Sequence, residues 1–126
     1  MATKAEVRNK ALRKIGVLEA GKTADTDDAT DVDATYDEIY AYLAQDKAVT
    51  WDSDEEVPNN AVRPMVAILA AEIADDFQVP EPKYQRLQVE AYGVGGREKG
   101  NGGAKFELQA LAQHTYVPKS TTAEYF

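Results

Sequence analysis

The sequence predicts an all-α protein, a small four-helix bundle followed by a glycine-rich hinge and an extended or partly helical C-terminal arm. Apolar residues recur every three or four positions over four stretches, which is the period of an amphipathic helix. No stretch alternates apolar and polar residues for long enough to build a sheet core. Six of the eight glycines lie in residues 93–104, a composition typical of a flexible connection. We therefore divide the chain into a helical domain of residues 1–92, a hinge of residues 93–104 and an arm of residues 105–126.

The first predicted helix opens with a capping box. Thr3 is followed three positions later by Glu6, so each side chain can accept a hydrogen bond from a backbone amide of the other residue. Gly16 is the predicted cap at the end of this helix, because glycine adopts the left-handed conformation that closes helices. The apolar positions in between fall on one face and are Val7, Ala11, Leu12 and Ile15.

The second predicted helix follows an acidic connector. Any of residues 25–28 (DTDD) can cap it, since these side chains accept hydrogen bonds from first-turn amides and acids suit the positive end of the helix dipole. The helix is expected to run to about Ala48. Its apolar face includes two tyrosines, which commonly lie half-buried with the hydroxyl bound to a partner. The positions on this face are Val32, Tyr36, Ile39, Tyr40 and Leu43.

The third predicted helix is the most apolar stretch and should form the centre of the core. Asn59 or Asn60 is its predicted cap, and Pro64 is compatible with a first turn, whose amides lack helical partners. Alanines between the larger side chains let neighbouring helices approach closely. The larger apolar positions are Val62, Val66, Leu69, Ile73 and Phe77.

The fourth predicted helix starts with Pro82 at its first position, where the missing amide removes no hydrogen bond. Gly93 ends it. Beyond the hinge, a short helix is predicted around Leu108, and residues 116–118 and 123–126 are expected to be extended.

Charge is distributed unevenly along this single-domain chain of 126 residues, whose formal net charge is −8. Residues 1–22 carry a net charge of +4 and residues 23–60 a net charge of −11. An acidic protein is not expected to grip nucleic acid with its whole surface, although nucleic acid can slide past it. Two interpretations fit the contrast: complementary helix faces pack within one chain, or opposite patches pair between subunits and close a ring.

Residue types exclude several classes of site. The chain has no cysteine, which excludes disulfides and zinc–thiolate centres. No apolar run approaches the ~20 residues of a membrane span. The N-terminus lacks the apolar core of a signal peptide, so we expect the protein to stay in the cytoplasm where it is made.

Stretches that look like known motifs fail on spacing. Calcium loops started at Asp25 or Asp52 lack the required glycine and glutamate, so helix capping and a solvated acidic face explain these acids better. The glycine run is neither a phosphate loop nor a dinucleotide fingerprint. His114 is the only histidine, and neither Ser53 nor Ser120 lies in a nucleophile-elbow motif. We therefore predict no catalytic residue, no metal ligand and no cofactor.

The arm is richer in aromatic side chains than a disordered tail should be. Aromatic anchors beyond a hinge are typical of a segment that docks on a surface. That surface is either the core of the same chain or another subunit, and we favour the second interpretation.

Three features, taken in order, are similar to those of a known family. Residues 11–17 (ALRKIGV) close the first helix, an acidic connector leads to a second helix that ends near Trp51, and residues 66–77 (VAILAAEIADDF) form an alanine-rich third helix. This order resembles the head-to-tail adaptor proteins of tailed bacteriophages, also called head-completion, connector or packaged-DNA-stabilisation proteins. The resemblance covers roughly residues 3–92, and the order of the motifs carries it more than any single motif does.

The resemblance implies a structural protein and not an enzyme. It implies a homo-oligomeric ring, usually of twelve copies, beneath the portal protein. Such a ring extends the DNA channel without sequence-specific binding, retains packaged DNA and offers a platform to a downstream tail or nozzle protein. The implied location is the head–tail junction of the virion, and the host cytoplasm before assembly, with no membrane involved.

The family commonly uses a C-terminal arm to grip the portal. Transferred to this chain, the candidate portal contacts are Phe106, Leu108, Leu111, Tyr116, Val117, Tyr125 and Phe126. The uneven charge suggests ring contacts by Arg8, Arg13 and Lys14 against Asp27, Asp28, Asp31 and Asp33. The fourth helix is shorter here than in many relatives, and the extreme C-terminus matches no pattern of the family.

The sequence also allows two other functions. The first is an acidic helical regulator or DNA mimic that binds a nucleic-acid enzyme through residues 23–60. The second is a carboxylate or metal-dependent hydrolase, which is least favoured because no acid–base pair stands out in an apolar setting.

Overall fold

The computed structural model describes residues 2–19, 22, 24–100 and 102–115. Within these residues the chain is all-helical, which confirms the predicted class, and its helices form a small bundle. The single extended pairing in this part of the chain is a bridge between Ala2 and Val57, which ties the start of the chain to a loop. In chain order the helices are α1 (Lys4–Lys14), α2 (Thr26–Gln45), α3 (Asn59–Ile73), α4 (Glu81–Tyr92), α5 (Gly96–Lys99) and α6 (Gly103–Thr115).

Helices α1 and α2 begin as the sequence predicts. The Glu6 amide donates to Thr3 Oγ1 at 3.1 Å and the Thr3 amide donates to Glu6 Oε1 at 2.8 Å, which completes the capping box. Hydrogen bonding with Thr3 lowers the pKa of the Glu6 carboxyl. At α2, the residue that caps the helix is Asp25, whose carboxylate accepts from the Asp28 amide at 2.9 Å.

The ends of α1 and α2 lie close to the predicted positions. Ile15 caps α1, and Gly16 follows it with φ of 85°, so the glycine lies one position beyond the cap. Helix α2 ends at Gln45, three residues before the predicted Ala48. It stops there because Lys47 adopts a left-handed conformation, with φ of 57°.

The beginnings of α3 and α4 correct the prediction. Pro58 occupies the cap position of α3, so Asn59 and Asn60 lie inside the helix, and within the described residues no side chain caps its first turn. Pro64 consequently lies in the second turn, where a missing amide removes a helical hydrogen bond. Pro82 likewise occupies the second position of α4 instead of the first.

Helix α3 lies at the centre of the core, as its composition predicts. It packs against α1, α2, α4 and α6, and nine of its fifteen residues are buried. Small residues at 67, 70 and 71 let neighbouring helices approach. The largest fully buried side chains elsewhere are Val7, Leu12, Val32, Tyr36, Leu43, Val57, Tyr92 and Leu108.

The only tryptophan, Trp51, attaches the loop after α2 to that helix. It is 6% exposed, and its indole N–H donates to the Tyr36 hydroxyl at 3.4 Å. The Tyr40 hydroxyl donates to the Trp51 carbonyl oxygen, and the two rings meet edge to face with centroids 6.2 Å apart. Burial raises the pKa of Tyr36.

The segment after α4 differs most from the expected hinge and arm. Residues 93–100 form a folded turn that contains α5, and the Gly102 amide donates to the Tyr92 carbonyl oxygen at 3.1 Å. Helix α6 then packs against α3 and α4. The bundle therefore includes α6, because its small and apolar side chains recur at four-residue spacing and cover the surface that α3 and α4 leave open.

Candidate functional site

Helix α6 carries the described part of the predicted arm. Ala104, Leu108 and Ala112 form its buried stripe, and Leu108 is only 1% exposed. Of the predicted portal contacts, Leu108 therefore lies in the core of its own chain. Leu111 is half-buried, whereas Phe106 points outward with 59% of its surface exposed.

The other predicted portal contacts lie outside the described residues. They are Tyr116, Val117, Tyr125 and Phe126.

A cluster of polar side chains attaches α6 to α2. Lys105 Nζ donates to the Tyr42 hydroxyl at 2.7 Å and lies 2.6 Å from Asp46 Oδ2. The ammonium also lies over the Tyr42 ring, 4.4 Å from its centroid. Partial burial disfavours the charged amine, but hydrogen bonds to Asp46 and Tyr42 outweigh it, so the pKa of Lys105 is raised. The ammonium is thus held charged between an aromatic face and a carboxylate.

A second group of side chains attaches α5 to α3 and α4. Arg97 NH1 donates to Glu72 Oε1 at 3.0 Å, and the Tyr92 hydroxyl donates to Glu72 Oε2 at 2.6 Å. The Arg97 guanidinium also lies over the Tyr42 ring, 4.3 Å from its centroid. Burial, followed by the hydrogen bond to Glu72, raises the pKa of the Tyr92 hydroxyl well above its usual range.

Together these side chains form one network, which we call the clasp. It joins α2, α3, α4, α5 and α6 through alternating charged and aromatic groups. Sequence reasoning missed it, because its members are separated by up to 63 residues. One sequence feature does point to the docking of α6, namely the four-residue spacing of residues 104, 108 and 112, which predicts a buried face. The clasp residues are Tyr42, Asp46, Glu72, Tyr92, Arg97 and Lys105.

Some predicted ring contacts are paired within the chain. Arg8 NH1 donates to both carboxylate oxygens of Asp33, at 3.2 and 3.0 Å. Lys4 Nζ lies 2.6 Å from Asp37 in the next turn of α2. These two pairs align α1 antiparallel to α2, so part of the charge contrast serves packing inside one subunit. Lys14 also has a partner in its own chain, Glu90 of α4, at 3.0 Å.

The remaining predicted ring contacts lie on the surface. Arg13 is exposed, as are Asp27 and Asp31, and Asp28 is partly buried. Partial removal from water, followed by repulsion from neighbouring aspartates, raises the pKa of Asp28. The first two turns of α2 therefore present a crowded acidic surface next to the basic end of α1.

The described residues contain no group of three or more His, Asp or Glu side chains placed to hold a metal ion. No helix in this part of the chain has the length and apolar character required to span a membrane. Comparison of the chain with models of protein families, with curated proteins and with solved structures gives no match.

Proposed function

We propose that this protein is a structural adaptor at the head-to-tail junction of a tailed bacteriophage. In this role it forms a ring under the portal, extends the DNA channel, retains packaged DNA and provides a platform for a tail or nozzle protein. The observation that carries the proposal is the order of motifs in residues 3–92, namely a first helix ending in ALRKIG, an acidic second helix and an alanine-rich third helix. The role requires no catalytic residue and no cofactor.

The charge of the chain supports this role. A channel wall must let DNA pass without holding its phosphates, and a net charge of −8 disfavours such binding. The exposed Phe106 and the aromatic residues of segment 116–126 supply anchors for a protein partner. Many copies acting together would give high avidity even if each anchor binds weakly.

The direct test is sedimentation of the purified protein with and without a cognate portal ring. We expect co-sedimentation at a fixed ratio of about one chain per portal subunit, as a ring of matched symmetry requires. A chain that stays at the top of the gradient beside an intact portal would contradict the adaptor role.

The contribution of the tail is tested by a chain that ends at residue 115. This truncation retains Leu108 and the clasp, so loss of portal binding would reflect the missing segment and not a damaged core. A finer test replaces Tyr125 and Phe126 with alanine, and the matched control replaces Ser120 and Thr121 in the same segment. We expect the aromatic pair to weaken binding and the control pair to leave it unchanged.

A second candidate function is an acidic regulator that competes with DNA for a nucleic-acid enzyme. The crowded carboxylates at the start of α2 favour this alternative. It predicts partner binding that weakens steeply with salt and does not require residues 116–126. A chain ending at residue 115 that still binds its partner would support the regulator over the adaptor.

A further inference from the structure

The connection between α4 and α6 is closed by glycines that leave no room for a side chain. A Cβ atom on Gly100 would overlap the Tyr92 carbonyl oxygen and lie 2.5 Å from the Gly96 carbonyl oxygen. A Cβ atom on Gly93 would lie 2.9 Å from the Gly102 amide nitrogen, at a backbone φ of 86°. The folded form of this connection therefore depends on these glycines.

Helix α6 is held by contacts that its own residues make. Its buried stripe packs on α3 and α4, and Lys105 binds Tyr42 and Asp46 at the end of α2. An α6 from a different copy of the chain could make the same contacts, because each copy offers the same receiving helices. Arg97 of the connection is the exception in the clasp, since extension of the connection would remove it from Tyr42 and Glu72.

We propose that α6 is an exchangeable helix, which docks on α2, α3 and α4 of its own chain when residues 93–102 are folded and on those of a second copy when they are extended. The partner is thus another molecule of this protein. The proposal does not rest on the adaptor function, since it concerns the purified chain alone.

The dimensions of the connection permit this exchange. Ten residues span about 33 Å when fully extended, whereas in the folded form the Gly102 amide lies 3.1 Å from the Tyr92 carbonyl oxygen, so extension carries the start of α6 away from the end of α4. Gly93, Gly95 and Gly96 have φ of 86°, 104° and 70° in the folded turn, and they can also extend without strain because glycine adopts positive and negative φ about equally readily. The balance between the two arrangements is therefore set within residues 93–102 and by protein concentration.

The test uses cysteine pairs, since the chain has no cysteine of its own. Gln109 contacts the Asp46 carbonyl oxygen at 3.4 Å, so a cysteine at Gln109 lies near a cysteine at the exposed Gln45 when α6 is docked. One sample carries Gln45→Cys and the other carries Gln109→Cys, and the two are mixed and treated with a short bismaleimide. A product with one chain of each kind forms only if α6 of one copy lies on α2 of another. A single chain with both substitutions serves as the control for docking itself.

The connection is opened by Gly100→Ala in both samples. The matched control is Gly102→Ala, where the nearest atom to the new Cβ is 3.9 Å away, an ordinary contact. We expect about tenfold more mixed product with Gly100→Ala than with Gly102→Ala. This ratio corresponds to destabilisation of the folded turn by about 1.4 kcal/mol. Light scattering should show dimers or larger assemblies in the same samples.

Two outcomes would overturn the proposal. In one, the Gly100→Ala protein stays monomeric and crosslinks only within the doubly substituted chain. In the other, it stays monomeric and loses that internal crosslink, which means that α6 has detached without finding a second copy. If the Gly100→Ala protein fails to fold, Gly93→Ala is assayed in the same way, because its Cβ would lie 2.9 Å from the Gly102 amide nitrogen within the connection. Absence of mixed product in both backgrounds also overturns the proposal.

Discussion

At the scale of single residues, Leu108 decides how the C-terminal helix relates to the bundle. Its side chain is 1% exposed, although it follows the glycine-rich segment. Full burial of a leucine side chain is worth about 2 kcal/mol relative to leaving it in water. Leu108 is therefore the largest apolar anchor of α6, and Ala104 and Ala112 on either side of it let the helix lie close to its neighbours.

We predict that Leu108→Ala lowers the free energy of unfolding by about 2–4 kcal/mol, because it removes buried atoms and leaves a cavity. Urea denaturation followed by circular dichroism measures the change. Phe106→Ala is the control on the same helix, and since Phe106 is 59% exposed, we expect a loss of less than about 1 kcal/mol. Equal losses in the two variants would contradict the burial of Leu108.

Tyr92 gives the protein a predicted sensitivity to alkali. An unfolded tyrosine releases its proton near pH 10, whereas the folded Tyr92 keeps it because its pKa is raised. The folded state then binds more protons than the unfolded state, so stability falls as the pH rises above 10.

The measurement compares wild type with Tyr92→Phe. At pH 8 we expect the variant to be less stable by about 1–2 kcal/mol, because the hydrogen bond to Glu72 is lost. This difference should shrink above pH 10, by up to about 1.4 kcal/mol per pH unit, because only the wild type has this proton to lose. A difference that stays constant between pH 8 and pH 11 would show that Tyr92 is not held protonated in the fold.

At the scale of elements, local signals in the sequence determine where the first helices begin. The capping box of α1 satisfies backbone amides through side chains only three residues apart, so no tertiary contact is needed to form it. Thr3→Ala is expected to lower the free energy of unfolding by about 1 kcal/mol. Thr30→Ala is the control, because Thr30 bonds to a carbonyl oxygen inside α2 and caps nothing. Equal effects of the two substitutions in thermal unfolding would contradict a special role for the cap.

The helices were predictable from the sequence because their apolar periodicity is a local property. Their packing was less so. Leu69 and Ile73 are buried as predicted, whereas Val62, Val66 and Phe77 are only partly buried. Neighbours on other sides of α3 bury Met65 and Ile68, which the predicted face does not include. A central helix has no single inner face, and sequence spacing does not tell which neighbours surround it.

The candidate site was less predictable for the same reason. The arm residues were selected for aromatic and apolar character, which does not distinguish Leu108 in the core from Phe106 on the surface. The clasp depends on distances between five helices and leaves no local pattern. The charge contrast left two interpretations open, and Arg8 with Asp33 supports complementary helix faces within one chain. The contrast does not assign the exposed acids to a neighbour.

At the scale of the whole molecule, α6 is part of the bundle, and a chain ending at residue 115 keeps all of its buried contacts that the structure describes. We predict that a chain ending at residue 102 is less stable than the chain ending at residue 115 by about 3 kcal/mol or more, because Leu108 and the contacts of Lys105 are removed together. The full-length protein is the reference.

Differential scanning calorimetry of the three chains makes this comparison. If the chain ending at residue 102 unfolds at the same temperature as the other two, α6 contributes nothing to the fold.

Trp51 provides an intrinsic fluorescence probe of folding. The indole is the only one in the chain and lies between two tyrosines of α2, so its emission should be blue-shifted and fed by energy transfer while that region is folded. Helix α6 packs mainly against α3 and α4, and its hydrogen bonds in the described part of the chain go to Tyr42 and Asp46 and not to Trp51. Departure of α6 would therefore lower the ellipticity while leaving the emission spectrum unchanged. The difference between the denaturation midpoints followed by circular dichroism and by fluorescence would then measure how independently α6 unfolds.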